Sequence, residues 1–165
     1  MVSSSAWGRR NRPRRGGRPG RRRAARSEPD GLTWSSLLAA FLVCHLSGDL
    51  ILQTEWQALT KVRGLGDPEG RRALMAHAST YTAVYAPALV WVAGRRGVTR
   101  AVGTAALIAV PHVLIDDGRF VRGWLRTVKH SSDPAPSLRL MVDQSFHVVC
   151  LLGAAAAAAA RGHDG

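Results

Sequence analysis

The sequence predicts an all-α, membrane-embedded bundle of four transmembrane helices with a disordered basic N-terminal tail. Three observations lead there. Four apolar runs, at about 32–56, 73–93, 100–117 and 138–160, are separated by polar or turn-forming segments. Each run is close to the ~20 residues of helix that a bilayer core requires. The runs also carry His/Asp pairs at a spacing of four, at His45/Asp49, His112/Asp116 and Asp143/His147, together with His77. Residues four apart share one helix face. Ionisable groups inside membrane segments are costly and mark functional sites or buried pairings.

Charge is segregated along the chain. The 165 residues hold 23 Lys+Arg against 11 Asp+Glu, formally +12. Residues 1–30 carry ten arginines against Glu28 and Asp30, so the tail accounts for +8 of that charge. A basic folded domain would point to nucleic acid. Here the basicity belongs to a tail, and nucleic acid is not an expected partner. The tail lacks apolar periodicity and is rich in Arg, Gly, Pro and Ser. Such a segment cannot bury enough surface to offset the entropy of ordering. No apolar core follows the arginines directly with a small-residue cleavage site, so the tail does not read as a signal peptide. The expected partners are the lipid bilayer and, for the tail, anionic lipid headgroups. The expected location is the cell membrane, as a multi-pass protein.

In the first run, Leu37 to Val43 is apolar, and His45, Asp49 and Gln53 form a polar stripe stepping by four. Trp34 and Trp56 bracket it as interfacial aromatics. Residues 57–72 read as a polar loop with Gly64, Gly66 and Asp67-Pro68. The second run has His77 and Tyr81 on one face near its start, and Pro87 inside. The short turn from Gly94 to Thr99 makes the third run an antiparallel neighbour. In that run Pro111 precedes His112 and is expected to loosen the helix. Residues 118–137 read as a second polar loop, in which Phe120 and Trp124 suggest an amphipathic stretch at the interface. The fourth run contains Asp143, Gln144 and His147 and ends in seven alanines, Ala154 to Ala160, read as packing surface. Cys44 and Cys150 lie in apolar runs without metal-binding spacing and read as small buried hydrophobes.

With four runs of alternating direction, all seven His and Asp groups fall at similar depth near the membrane face that carries the two long loops. Helical bundles build metal sites from facing helices in this way. Four imidazoles and three carboxylates suit zinc, manganese or iron. The candidate metal ligands are His45, Asp49, His77, His112, Asp116, Asp143 and His147. Of these, Asp49, His77 and Asp143 could equally act as catalytic bases. Gln53 and Gln144 are candidates for orienting water or substrate. A metal near the aqueous face could activate water for hydrolysis. The alternatives are a His/Asp proton or ion conductor, and a structural subunit whose helices are clasped by Asp–His hydrogen bonds. No HExxH, GxSxG, P-loop or GxGxxG motif occurs, which removes the common hydrolase and nucleotide signatures. The loop-bearing face carries nine Lys and Arg from Lys61 to Arg139, which makes it cytoplasmic if the tail is discounted.

The motifs His45-Leu-Ser-Gly-Asp49-Leu-Ile-Leu-Gln53-Thr-Glu-Trp56, His77 with Tyr81, His112-Val-Leu-Ile-Asp116 and Asp143-Gln144-Ser-Phe-His147 resemble the bacterial domain-of-unknown-function family 3307 over about residues 32–153. The resemblance implies a small multi-pass membrane protein with these His, Asp and Gln positions as its polar signature. It implies no activity. By looser analogy the pattern is similar to membrane-bound metal-dependent hydrolases. The Arg-rich tail departs from the family pattern, which usually begins almost at the first span.

Overall fold

A computed structural model describes residues 32–160, and the expectation of a disordered tail lies outside them. The described residues are all-α, with seven α-helices. These are α1 (Trp34–Leu46), α2 (Glu55–Thr60), α3 (Pro68–Val84), α4 (Ala86–Arg96), α5 (Val98–Asp116), α6 (Arg119–Thr127) and α7 (Pro136–Ala159). A π-helical turn, Ser47–Ile51, extends α1, and a 3₁₀ turn, Lys61–Arg63, follows α2.

Three helical stretches, not four, are long and apolar enough to cross a membrane: Trp34–Ile51, α5 and α7. The expected second span is broken into α3 and α4 at Tyr85. Pro87 supplies no N–H and crowds the carbonyl four residues earlier. The chain responds with a tight bond from Tyr85 N–H to the Thr82 carbonyl, and helix resumes with Leu89 N–H bonded to the Tyr85 carbonyl. Pro111 has no such effect. α5 runs unbroken through it to Asp116, contrary to the loosening its sequence suggests.

The segments read as polar loops contain helix. Thr54 caps α2 reciprocally with Gln57, and Asp67 caps α3 with Pro68 in its first turn. Short polar side chains satisfy the free N–H groups of a helix start. The first span therefore ends at Ile51, and Trp56 belongs to α2. In the second segment α6 is the expected amphipathic stretch, but its anchors are Val121 and Leu125, both buried. Phe120 and Trp124 are half-exposed and meet the ring of Phe146 edge-on.

Helix α7 packs against α1 and α5, and α3 and α4 pack against α5 and also touch α1. Leu37, Phe41, Tyr85, Val92, Ile108 and Leu151 form the apolar half of the core. Of the seven alanines, Ala154, Ala155 and Ala158 are the fully buried ones, at the spacing of one helix face. Cys44 and Cys150 are half-buried and free rather than fully buried. Only 22% of each candidate span is buried, while Val43, Leu50, Ile51, Val90, Val102 and Val149 face outward. Large exposed apolar surfaces mark membrane or protein contact. The polar groups, by contrast, are inside.

Candidate metal centre

Four elements meet at the polar centre. The end of α1 and its π turn supply His45 and Asp49, α3 supplies His77 and Tyr81, the last turn of α5 supplies His112 and Asp116, and α7 supplies Asp143, Gln144 and His147. The four histidines are 0–2% exposed.

The π turn sets the position of Asp49. Gly48 lies so close to α3 that a Cβ there would stand 2.7 Å from Tyr81 Cδ2. Leu52 N–H bonds the Ser47 carbonyl at 3.0 Å, five residues back, so the helix is locally widened. Such bulges re-aim side chains and occur often at functional sites. Gln53 falls beyond the bulge and leaves the predicted helical stripe. It nevertheless reaches the centre, by accepting a hydrogen bond from Lys61 Nζ at 2.8 Å.

The inner contacts are close. His77 Nε2 lies 3.2 Å from Asp49 Oδ1 and 3.3 Å from Asp116 Oδ2, and His112 Nε2 lies 3.3 Å from that same Asp116 oxygen. His45 Nδ1 is 3.5 Å from Asp49 Oδ2. Yet Asp49 Oδ1, both ring nitrogens of His77 and His112 Nε2 make no hydrogen bond of good geometry. These groups crowd one another without a ring N–H aimed at a carboxylate oxygen. Buried polar atoms are nearly always paired, so four orphans in one place require an explanation.

Hydrogen-bond logic assigns the tautomers. His147 Nδ1 lies 3.0 Å from the Asp143 backbone carbonyl, which only accepts, so Nδ1 carries the proton. The Nε2 of a neutral His147 is then an acceptor. His112 Nδ1, 2.9 Å away, must donate to it. The Nε2 of a neutral His112 is left with a bare lone pair facing carboxylate oxygens. Two acceptors face to face repel unless a cation lies between them. A set of Asp49, His77 and His112 offers ligand atoms all within 4.8 Å of one another, as does the overlapping set of His112, Asp116 and His147. Tetrahedral zinc with ligands at ~2.0–2.1 Å would separate neighbouring ligand atoms by roughly 3.3 Å. The 3.2 and 3.3 Å separations fit that spacing.

Surrounding groups hold this arrangement. His45 bridges Tyr81 Oη and Gln144 Oε1, each at 3.0 Å. Tyr81 Oη also bonds Tyr85 Oη at 2.7 Å, and its ring stacks on His112 with centroids 3.6 Å apart. Asp143 lies outside both candidate ligand sets. It faces His147 Nδ1 at 3.5 Å and receives Gln144 Nε2 at 3.3 Å.

Two buried polar contacts at or beside the centre escape a sequence reading. Lys61 donates to Asp116 Oδ2 at 2.6 Å and is the ammonium at the centre. It arrives from the supposed loop, and the only hint of it is the surplus of buried carboxylates needing a cation. Asp117, buried one residue past the site, accepts the Leu65 N–H at 2.6 Å and pairs with Arg119. Those bonds, with Arg119 foremost, hold its carboxyl below the usual range. It ties the α2–α3 connection to the end of α5. A cavity of about 420 Å³ opens beside Asp49 and Asp116 and is lined by Gln53, Lys61, Arg139, Asp143 and Gln144.

Residues 37–162 match the family described as Protein of unknown function (DUF3307). The chain belongs to this family. No curated protein and no solved structure matches it. The match covers all four His/Asp motifs, so the polar centre lies within the family's own segment.

Proposed function

We propose that this member of the DUF3307 family is an integral membrane protein that binds a divalent transition metal, zinc foremost, between Asp49, His77, His112 and Asp116, near one membrane face. The observation that carries this reading is His112 Nε2, buried without a hydrogen-bond partner and 3.3 Å from Asp116 Oδ2. A proton could fill that gap only if an N–H pointed at an acceptor, and no good hydrogen bond forms there. A cation bonded through Asp49 Oδ1, His77 Nε2 and His112 Nε2 gives three of the four orphaned atoms a partner together, and His77 Nδ1 stays outside its reach.

The remaining residues have distinct tasks under this reading. His147 and Tyr81 orient His112, as partners of metal-binding histidines usually do. Lys61 balances Asp116 and holds Gln53 at the cavity. A divalent metal held here would polarise a water or carbonyl entering from the cavity. Asp143 and Gln144 line that cavity, one able to accept a proton and the other to orient the entering group. Metal-assisted hydrolysis is the chemistry this arrangement suits best.

A second reading rests on the hydrogen-bonded run Tyr85–Tyr81–His45–Gln144, a short proton path leading from the cavity inward. It favours a proton conductor less well, because the path stops among Phe41, Val92 and Ile108.

Elemental analysis of the purified protein separates the readings. The metal centre predicts about one equivalent of zinc, manganese or iron per chain, lost in a folded His112→Ala variant. Wild type that stays metal-free after incubation with each ion, while conducting protons in liposomes, would overturn it in favour of the second reading.

A further inference from the structure

Beside the acidic centre lies a smaller cavity of opposite charge. It measures about 200 Å³ and is lined by Arg122, Arg126 and Arg139, with the hydroxyls of Ser131 and Ser132 and the exposed carboxylate of Asp133. Arg122 and Arg139 converge on one point. Their guanidinium nitrogens stand 2.8 and 3.2 Å from the place a Cβ would occupy on Gly118, so they are no farther apart than the sum of those distances. Gly118 is left-handed, with φ +74°, and lacks the side chain that would fill that space. Two like charges held this close repel unless an anion lies between them. No side chain of these three arginines makes an ion pair or hydrogen bond among the described residues. Arg122 acts on the carboxylate of Asp117, but that carboxylate is engaged by Arg119 and the Leu65 N–H. Arg139 and Pro134 also line the larger cavity beside Asp49 and Asp116, so the two cavities share a wall.

We infer that Arg122 and Arg139, with Arg126 at the rim, bind a phosphate group of an anionic ligand beside the carboxylate–histidine centre. Planar guanidinium groups with paired N–H donors match phosphate oxygens, and such charge-assisted bonds are about twice as strong as neutral ones. Ser131 and Ser132 supply further donors. The phosphate can be a lipid headgroup or a free phosphate, since both present the same oxygens. The inference goes beyond the metal reading and does not need it.

The full chain in phosphatidylcholine nanodiscs is titrated with two probes, inorganic phosphate and phosphatidic acid doped into the disc. Arg122→Gln/Arg139→Gln is compared with Arg71→Gln/Arg72→Gln, which removes two exposed charges from the start of α3. A built site predicts about tenfold or greater weakening in the first pair and under about twofold in the second. Binding of both probes identifies the phosphate alone as sufficient, and binding of the lipid alone identifies a headgroup. Either outcome supports the site. Equal losses in the two double variants, or binding of neither probe, overturn it. Should Arg122→Gln/Arg139→Gln fail to fold, Arg139→Lys keeps the charge, loses the paired donors and is expected to weaken binding severalfold. Asp49→Asn, deficient in metal under the reading above, keeps phosphate binding, so the two claims fail separately.

Discussion

Replacing Gly48 with alanine adds one methyl group at the tightest helix contact of the site. That Cβ would stand 2.7 Å from Tyr81 Cδ2 and 3.4 Å from Tyr81 Cα. Carbon atoms in contact prefer about 3.5–4.0 Å, so the ring must retreat by nearly an ångström. Its movement is restricted, because the ring also stacks on His112 at a centroid distance of 3.6 Å. Overpacking of this kind costs about 1–3 kcal/mol. The gain in helix propensity from Gly to Ala is at most about 1 kcal/mol, so the net effect is destabilising. The displacement passes to His112 and through Tyr81 Oη to His45, so metal affinity falls by about 10–100-fold, as when a ligand's supporting partner is lost. The assay is thermal unfolding and zinc titration of Gly48→Ala beside Gly103→Ala and Gly153→Ala, whose new Cβ atoms meet nothing within 4 Å. The controls should match wild type or gain slightly. A Gly48→Ala protein with wild-type melting and zinc affinity would refute the claim that this close approach positions the centre.

Three further outcomes follow from the same geometry. Lys61→Met removes the ammonium that bonds Asp116 and Gln53, and a buried carboxylate stripped of its partner is strongly destabilising. The variant should melt below wild type in chelator, and zinc should restore more stability to it than to wild type, as paired melts will register. Tyr81→Phe loses the bonds to His45 and Tyr85 but keeps the ring stacked on His112, so it should cost about 1–2 kcal/mol and retain its metal in elemental analysis. Asp117 has its carboxyl lowered by Arg119 and the Leu65 N–H. Its contribution is complete above the unfolded value of about 3.9 and is lost as pH falls through the lower folded value. The stability gap between wild type and Asp117→Asn should therefore be constant near neutrality and close only in acid. A gap that closes between pH 6 and 8 would show that another group is responsible.

The sequence reveals the centre more fully than the fold. His45/Asp49, His112/Asp116 and Asp143/His147 announce themselves because period-four polar pairs stand out in apolar runs, and the structure gathers them with His77 into one cluster. The limits of the reading are local. Composition does not distinguish Pro87, which breaks its run, from Pro111, which does not. Tyr85, at the break before Pro87, is buried in the apolar core, whereas α5 continues through Pro111. The π turn at Ser47–Ile51 is invisible to periodicity, and so Gln53 seemed to continue a helical stripe. Helices α2 and α6 are short: α2 buries only the polar Gln57 and Thr60, and α6 has just Val121 and Leu125, one turn apart, as apolar anchors. Lys61 enters from such a segment, where no pattern separates a buried lysine from a solvated one.

X-ray absorption at the zinc edge tests the central claim most directly. The zinc-loaded protein in nanodiscs should show about four nitrogen and oxygen neighbours at ~2.0–2.1 Å, with outer-shell scattering from two imidazoles. His77→Ala should lose one of those imidazoles. Absence of bound zinc, or sulfur scattering at about 2.3 Å from Cys44 or Cys150, would contradict the account.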